Sequence, residues 1–199
     1  MRQRDELPGK GRERRSDTGG QDVTDTTLRA IPTPYGGVKF RSRLEARWAM
    51  FFDRLHIPWE YEPQGFDIGD GEAYLPDFIV LLGDIVWTEV KPSVWADPDG
   101  VARWRKFMGL QKPGTRGVLL TSMNGRTDQE FLVLVTGEGE QHLPWSSCPA
   151  GYHFDLIRRG SREECRQCGE ISTTAPPWDD DKRISEAYSA ALSARFGTG

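Results

Sequence analysis

The run YLPDFIVLLGDIVWTEVK, residues 74–91, constrains this chain more than any other stretch. Two β-rich segments flank a Gly83-Asp84 turn signal, so the run reads as a hairpin. It also places Asp77, Glu89 and Lys91 in an otherwise apolar ribbon, and a strand that only fills a core has no use for them. Side chains two apart share a face of a strand, so Glu89 and Lys91 point one way and Val90 the other. The side taken by Asp77 depends on the turn. A two-residue loop over Gly83 and Asp84 pairs Asp77 with Val90, on the wrong face. A three-residue loop over Leu82, Gly83 and Asp84, or one bulge, brings Asp77 opposite Glu89.

In the second geometry, two carboxylates about 4–5 Å apart repel each other by several kcal/mol at an effective dielectric of about 20. A divalent cation relieves that repulsion best, and Mg²⁺ (or Mn²⁺) takes oxygen ligands. Lys91 beside it is placed to orient a water or to stabilise charge developing on a phosphate. These are the parts for hydrolysing a phosphodiester. The simpler reading keeps Asp77 as a strand-end turn residue and Glu89 with Lys91 as an exposed ion pair.

Around the hairpin the pattern alternates between helix and strand. In FRSRLEARWAMFFDRLHIPWEYEP, residues Leu44, Trp48, Phe51, Phe52 and Leu55 recur at helical spacing, with Ser42 as N-cap and Pro58 as the stop. Glu45 follows Ser42 by three, a capping-box spacing that is compatible with a second role as an acid of the site. WEYEP reads as a short extended segment, with Glu60 and Glu62 flanking Tyr61. DPDGVARWRKFMGLQ predicts a helix turning Val101, Trp104, Phe107, Met108 and Leu110 toward the core. GVLLTS and EFLVLVT predict further strands. The expected fold class is α/β (α+β), a mixed central sheet flanked by helices. Gln64 and Tyr74 are candidate supporting groups for the acids.

Pro76-Asp77 followed by Glu89-Val90-Lys91, a hairpin apart and preceded by a helix bearing Glu45, resembles the PD-(D/E)xK nuclease superfamily. The resemblance covers residues 40 to about 135. It extends to small nucleases of actinobacteria and their phages, and more distantly to endonuclease subunits of some transposons. It implies a restriction-endonuclease-like core that cuts DNA, less often RNA, with Mg²⁺. By this resemblance Asp77, Glu89 and the Val90 carbonyl are metal ligands, Lys91 positions the attacking water, and Glu45 completes the acidic cluster.

The three cysteines of the 199-residue chain all lie between 148 and 168. The first residues, MRQRDELPGKGRERRSD, contain no apolar stretch of the kind a secretory signal needs, so a cytoplasmic, reducing setting is expected. In that setting clustered cysteines point to a metal more than to disulfides. Cys165-Arg-Gln-Cys168-Gly169 has the spacing of a zinc knuckle, and Cys148 supplies a third sulfur. The fourth ligand is His153, the preferred choice, or His142. The stretch after Gly137 reads as loop-rich, and a structural Zn²⁺ in a ribbon-like module follows.

The net charge of −4 argues against a constitutive nucleic-acid coat but leaves room for local basic patches. Arg158, Arg159 and Arg162 in the loop between the knuckles suit phosphate contacts, as do Arg41 and Arg43 near the first helix. The expected partner is DNA, duplex or branched, with a homodimer or larger nucleoprotein complex if two strands are cut. The organisation so read is a tail over 1–30, a nuclease-like core over 31–137, a zinc-binding module over 138–175, and a linker with a C-terminal helix over 176–199. A catalytically silent DNA-binding subunit and an RNA nuclease are the alternatives.

Overall fold

The computed structural model describes residues 30–124, 129–148, 153–156, 164–170 and 181–197. The expected tail, apart from Ala30, lies outside these residues, and so do Arg158, Arg159 and Arg162. Strands β1 (Thr33–Tyr35) and β2 (Val38–Phe40) form a small hairpin ahead of helix α1 (Arg43–Arg54). β3 (Trp59–Tyr61) is followed by a two-stranded ribbon of β4 (Phe66–Asp67) and β5 (Ala73–Tyr74). Next come β6 (Phe78–Leu81), β7 (Ile85–Val90), α2 (Pro98–Gly109), β8 (Arg116–Leu120), β9 (Glu130–Val135), β10 (Gly139–Ser147), β11 (Phe154–Leu156) and α3 (Lys182–Ser193).

Seven strands make one mixed sheet in the order β11-β10-β9-β8-β7-β6-β3. Only β7 and β8 run parallel within it, joined by α2 as the crossover helix that such a pair requires. The helices cover both faces. Val86 and Val90 of β7 join Trp48, Phe51 and Phe52 of α1 and Tyr188 of α3 in one apolar cluster. Trp87 and Leu119 pack with Trp104, Phe107 and Met108 of α2 in the other. Among the described residues no helix is long and apolar enough to cross a membrane.

Local chemistry explains the helix ends. The Ser42 hydroxyl accepts the Glu45 amide at 3.2 Å, and Asp97 accepts the Gly100 amide at 2.9 Å with Pro98 opening α2. The C-terminal helix docks on α1 through Ile184, Ala187, Tyr188 and Ala191, and Asp181 caps it.

Two expectations need correction. Leu110 is 61% exposed, because α2 ends at Gly109 and the chain turns away before another apolar face forms. The stretch after Gly137, expected to be loop-rich, holds the nine-residue β10, which continues the central sheet from β9 to β11. Its Leu143, Pro144, Trp145 and Ser146 are buried in one run, which no alternation of apolar and polar residues announces in the sequence.

The β6–β7 turn is the pivotal junction. Pairing of Leu81 with Ile85 and Phe78 with Thr88 leaves a three-residue loop of Leu82, Gly83 and Asp84. Gly83 sits at φ +81°, and a Cβ there would lie 3.0–3.1 Å from Gln167 and Arg166. Only glycine satisfies both the left-handed backbone and that close approach. Arg116, 3% exposed at the start of β8, locks the loop from below. It donates to the Leu82 carbonyl at 2.8 Å, to Asp155 of β11 at 2.7 Å and to both oxygens of Asp84.

Replacing Arg116 with Met leaves Asp155 buried without its cation. Urea unfolding is expected to show a loss of about 3–5 kcal/mol, against a change within about 0.5 kcal/mol for Leu110→Ser.

Candidate functional site

The three-residue turn settles the face of Asp77. Continued one step, the β6–β7 register sets Asp77 opposite Glu89, on the α2 side of the sheet, where Lys91 also projects. Asp77 and Glu89 are 3% and 4% exposed, and Glu45 at the start of α1 is 7% exposed. They line a groove of about 450 Å³ together with Arg41, Tyr74, Lys91 and Arg103.

Each carboxylate has its own partners. Asp77 accepts the Val90 amide at 2.7 Å and pairs with the Arg41 guanidinium, which also reaches Glu62 at 2.8 Å. Glu89 meets the Lys91 ammonium at 2.8 Å and accepts the Tyr74 hydroxyl at 2.5 Å. Glu45 accepts the Tyr61 hydroxyl at 2.6 Å and the Ser42 hydroxyl at 2.7 Å. Lys91 is held from the far side by Asp97 at 3.0 Å. Gly100 makes room for that pair, since a Cβ there would fall 2.1 Å from Asp97 and 2.9 Å from Lys91.

The electrostatics follow from burial. Desolvation, then the charges of Glu89 and Glu45, push Asp77 up from 3.8 to about 8. Burial alone would lower Lys91, but Glu89 and Asp97 more than offset it, so the amine titrates above its ordinary value. Lys91 is therefore a cation and a hydrogen-bond donor at neutral pH, not a base. Burial and Glu89 likewise keep the Tyr74 phenol protonated.

Among the described residues, Asp77, Glu89 and Glu45 do not draw three ligand oxygens together. The group that does converge is Cys148, His153, Cys165 and Cys168, whose ligand atoms lie within 4.8 Å of one another. The His153 Nδ1 is 3.7 Å from Cys148 Sγ and 3.6 Å from Cys165 Sγ. A tetrahedral zinc with bonds of about 2.3 Å to sulfur and about 2.0–2.1 Å to nitrogen sets S···N near about 3.6 Å, so the group has the geometry to hold such an ion.

Backbone bonds pre-form both halves of the cluster. Cys148 donates to the His153 carbonyl at 2.7 Å, and Gly169 donates to the Cys165 carbonyl at 2.8 Å. Burial and the neighbouring thiols push Cys165 up to about 11, a penalty that a bound cation reverses. Of the two histidines considered, His142 is exposed on β10 and takes no part.

The remaining predicted residues divide. Arg41 pairs with Asp77 and Glu62 at the wall of the acidic groove, and Arg43 lies away from it, in a separate pocket beside the end of α3. Tyr74 supports Glu89, whereas Gln64 is exposed. Sequence reasoning missed Asp97 and Tyr61 as partners of the site. Asp97 had a readable signal, an N-cap acid before proline six residues after Lys91. Comparison with protein-family models, curated proteins and solved structures finds no match to this chain.

Because Asp77 is raised in the folded state, its contribution to stability is fully present below about pH 4 and is lost as pH rises through about 8. Without divalent cations, Asp77→Asn is expected to melt several degrees above the wild type at pH 8, and the gap should close toward pH 4. A thermal-shift series across pH checks this.

Proposed function

We propose that the chain is a metal-dependent phosphodiesterase acting on nucleic acid, foremost a DNA endonuclease, with the acidic groove as its active site. The observation that carries the reading is the placement of Asp77 opposite Glu89 on one sheet face, with Lys91 bonded to Glu89 and Arg41 and Arg103 on the walls. The order of helix, hairpin and Pro-Asp…Glu-x-Lys supports the resemblance to PD-(D/E)xK nucleases, and with it a restriction-endonuclease-like core.

Asp77, Glu89 and the Val90 carbonyl, with Glu45 behind them, offer the hard oxygens that Mg²⁺ or Mn²⁺ prefers. Bound there, such an ion would supply Lewis acidity and lower the pKa of a water. The chain's own groups supply the rest. Lys91 donates toward the water or a non-bridging phosphate oxygen as charge develops. Tyr74 fixes the orientation of Glu89. Arg41, once Asp77 turns to a cation, presents a planar fork matched to phosphate. Arg103, without an ion pair among the described residues, faces the same groove.

A second reading, a nucleic-acid-binding subunit without catalysis, is favoured by the way Arg41 and Lys91 already neutralise the acids. One experiment separates the two. Labelled duplex DNA, single-stranded DNA and RNA are incubated with Mg²⁺ or Mn²⁺ and the wild type, Asp77→Ala or Lys91→Ala. The nuclease reading expects cutting by the wild type and a drop of about 10²–10³-fold in both variants. Equal cutting by all three sinks the assigned site, and no cutting of any substrate favours the second reading.

For the Cys/His cluster we propose a structural Zn²⁺. Metal analysis of the purified protein is expected to give one zinc per chain, absent from Cys165→Ser, with a strong chelator lowering the melting temperature. Full stability in a zinc-free preparation would overturn this assignment.

A further inference from the structure

On the far flank of α1 from Glu45, Arg43, Arg47, Arg195 and Phe196 line a second pocket of about 200 Å³. Arg43 and Arg47 are four apart and so share one helix face, and Arg195 joins them from just beyond the last turn of α3. Among the described residues none of the three side chains has an ion-pair or hydrogen-bond partner, whereas Arg41, Arg105, Arg116 and Arg183 are all paired with acids. The Nε of Arg47 is buried and has no hydrogen-bond partner. A buried donor left in that state is costly, and clustered cations repel one another.

The helix dipoles offset only part of this charge. Arg195 offsets the negative end of α3, but Arg43 stands at the positive end of α1, where a cation gains nothing. Net positive charge therefore remains, beside the apolar wall of Phe196, which packs edge-on against Tyr35. An oxyanion in the pocket neutralises these cations together, accepting from the guanidinium nitrogens that Arg43, Arg47 and Arg195 turn to it.

We propose that this pocket binds a backbone phosphate of the nucleic acid, one helix width (about 10–12 Å) from the acidic groove. The inference rests on the nuclease or nucleic-acid-binding reading of that groove. Its role is to anchor the strand beyond the reacting phosphate, setting where along the backbone the acids fall. Phosphate contacts of this kind fix register without reading sequence.

The test is duplex binding by fluorescence anisotropy in EDTA, across a salt series, with the full chain. Arg43→Gln and Arg195→Gln, both at exposed positions, are compared with Lys182→Gln, which removes the same charge from a residue paired with Glu186. Each arginine variant is expected to weaken binding several-fold and to reduce the slope of log K against log salt by about one, while Lys182→Gln leaves the slope unchanged. Circular dichroism confirms folding of each variant. Unchanged slopes in both arginine variants overturn the proposal, as does a pocket that binds inorganic phosphate by calorimetry while duplex binding ignores the substitutions. A chain that cuts nothing but binds duplex in this arginine-dependent way sinks the hydrolase reading alone. A chain that cuts and shows unchanged slopes sinks this one alone.

Discussion

The three-residue turn between β6 and β7 is the constraint on which the rest depends. One residue fewer would move every side chain of β6 to the other face relative to β7. Phe78 and Val80 would leave the cluster under α1, and Asp77 would leave Glu89. The turn is held by contacts from distant parts of the chain: Arg116 from β8, Asp155 from β11, and the close approach of Arg166 and Gln167 over Gly83. The C-terminal Cys/His segment is thus built into the geometry of the acidic groove, since Arg166 and Gln167 lie between two of its cysteines.

The two clusters solve the problem of concentrated negative charge differently. In the groove each acid has found a protein cation or hydroxyl, so the site is stable as it stands and any cation entering it would have to compete with Arg41 and Lys91. At the sheet edge the thiols and the imidazole have mostly one another, and their spacing matches a tetrahedral soft-metal site. Hard oxygens with exchangeable partners suit a transient ion, and sulfur ligands pre-formed by backbone bonds suit a permanent one.

Much of this was legible in the sequence, and what was not has physical causes. The helices declared themselves through Leu44-to-Leu55 and Val101-to-Met108 spacing and through Ser42 as a cap, whereas Asp97, the cap of α2, went unread. The two possible turns could be written down but not decided, because what decides between them arrives from residues 116, 155, 166 and 167. The pairing of Arg41 with Asp77 was not legible, because nothing local tells an arginine before a helix that a buried aspartate lies 36 residues ahead. The short ribbons β1–β2 and β4–β5 carry too few residues to show a period. Leu110 failed for the opposite reason: it continued the apolar period of α2 past the point where the helix ends.

Among the described residues the seven-stranded sheet has two rims, β3 and β11, each three residues long. So short a rim offers a neighbouring molecule few backbone groups to zip onto. Extension of the sheet from one copy into another is therefore disfavoured, which guards the protein against fibrous self-association.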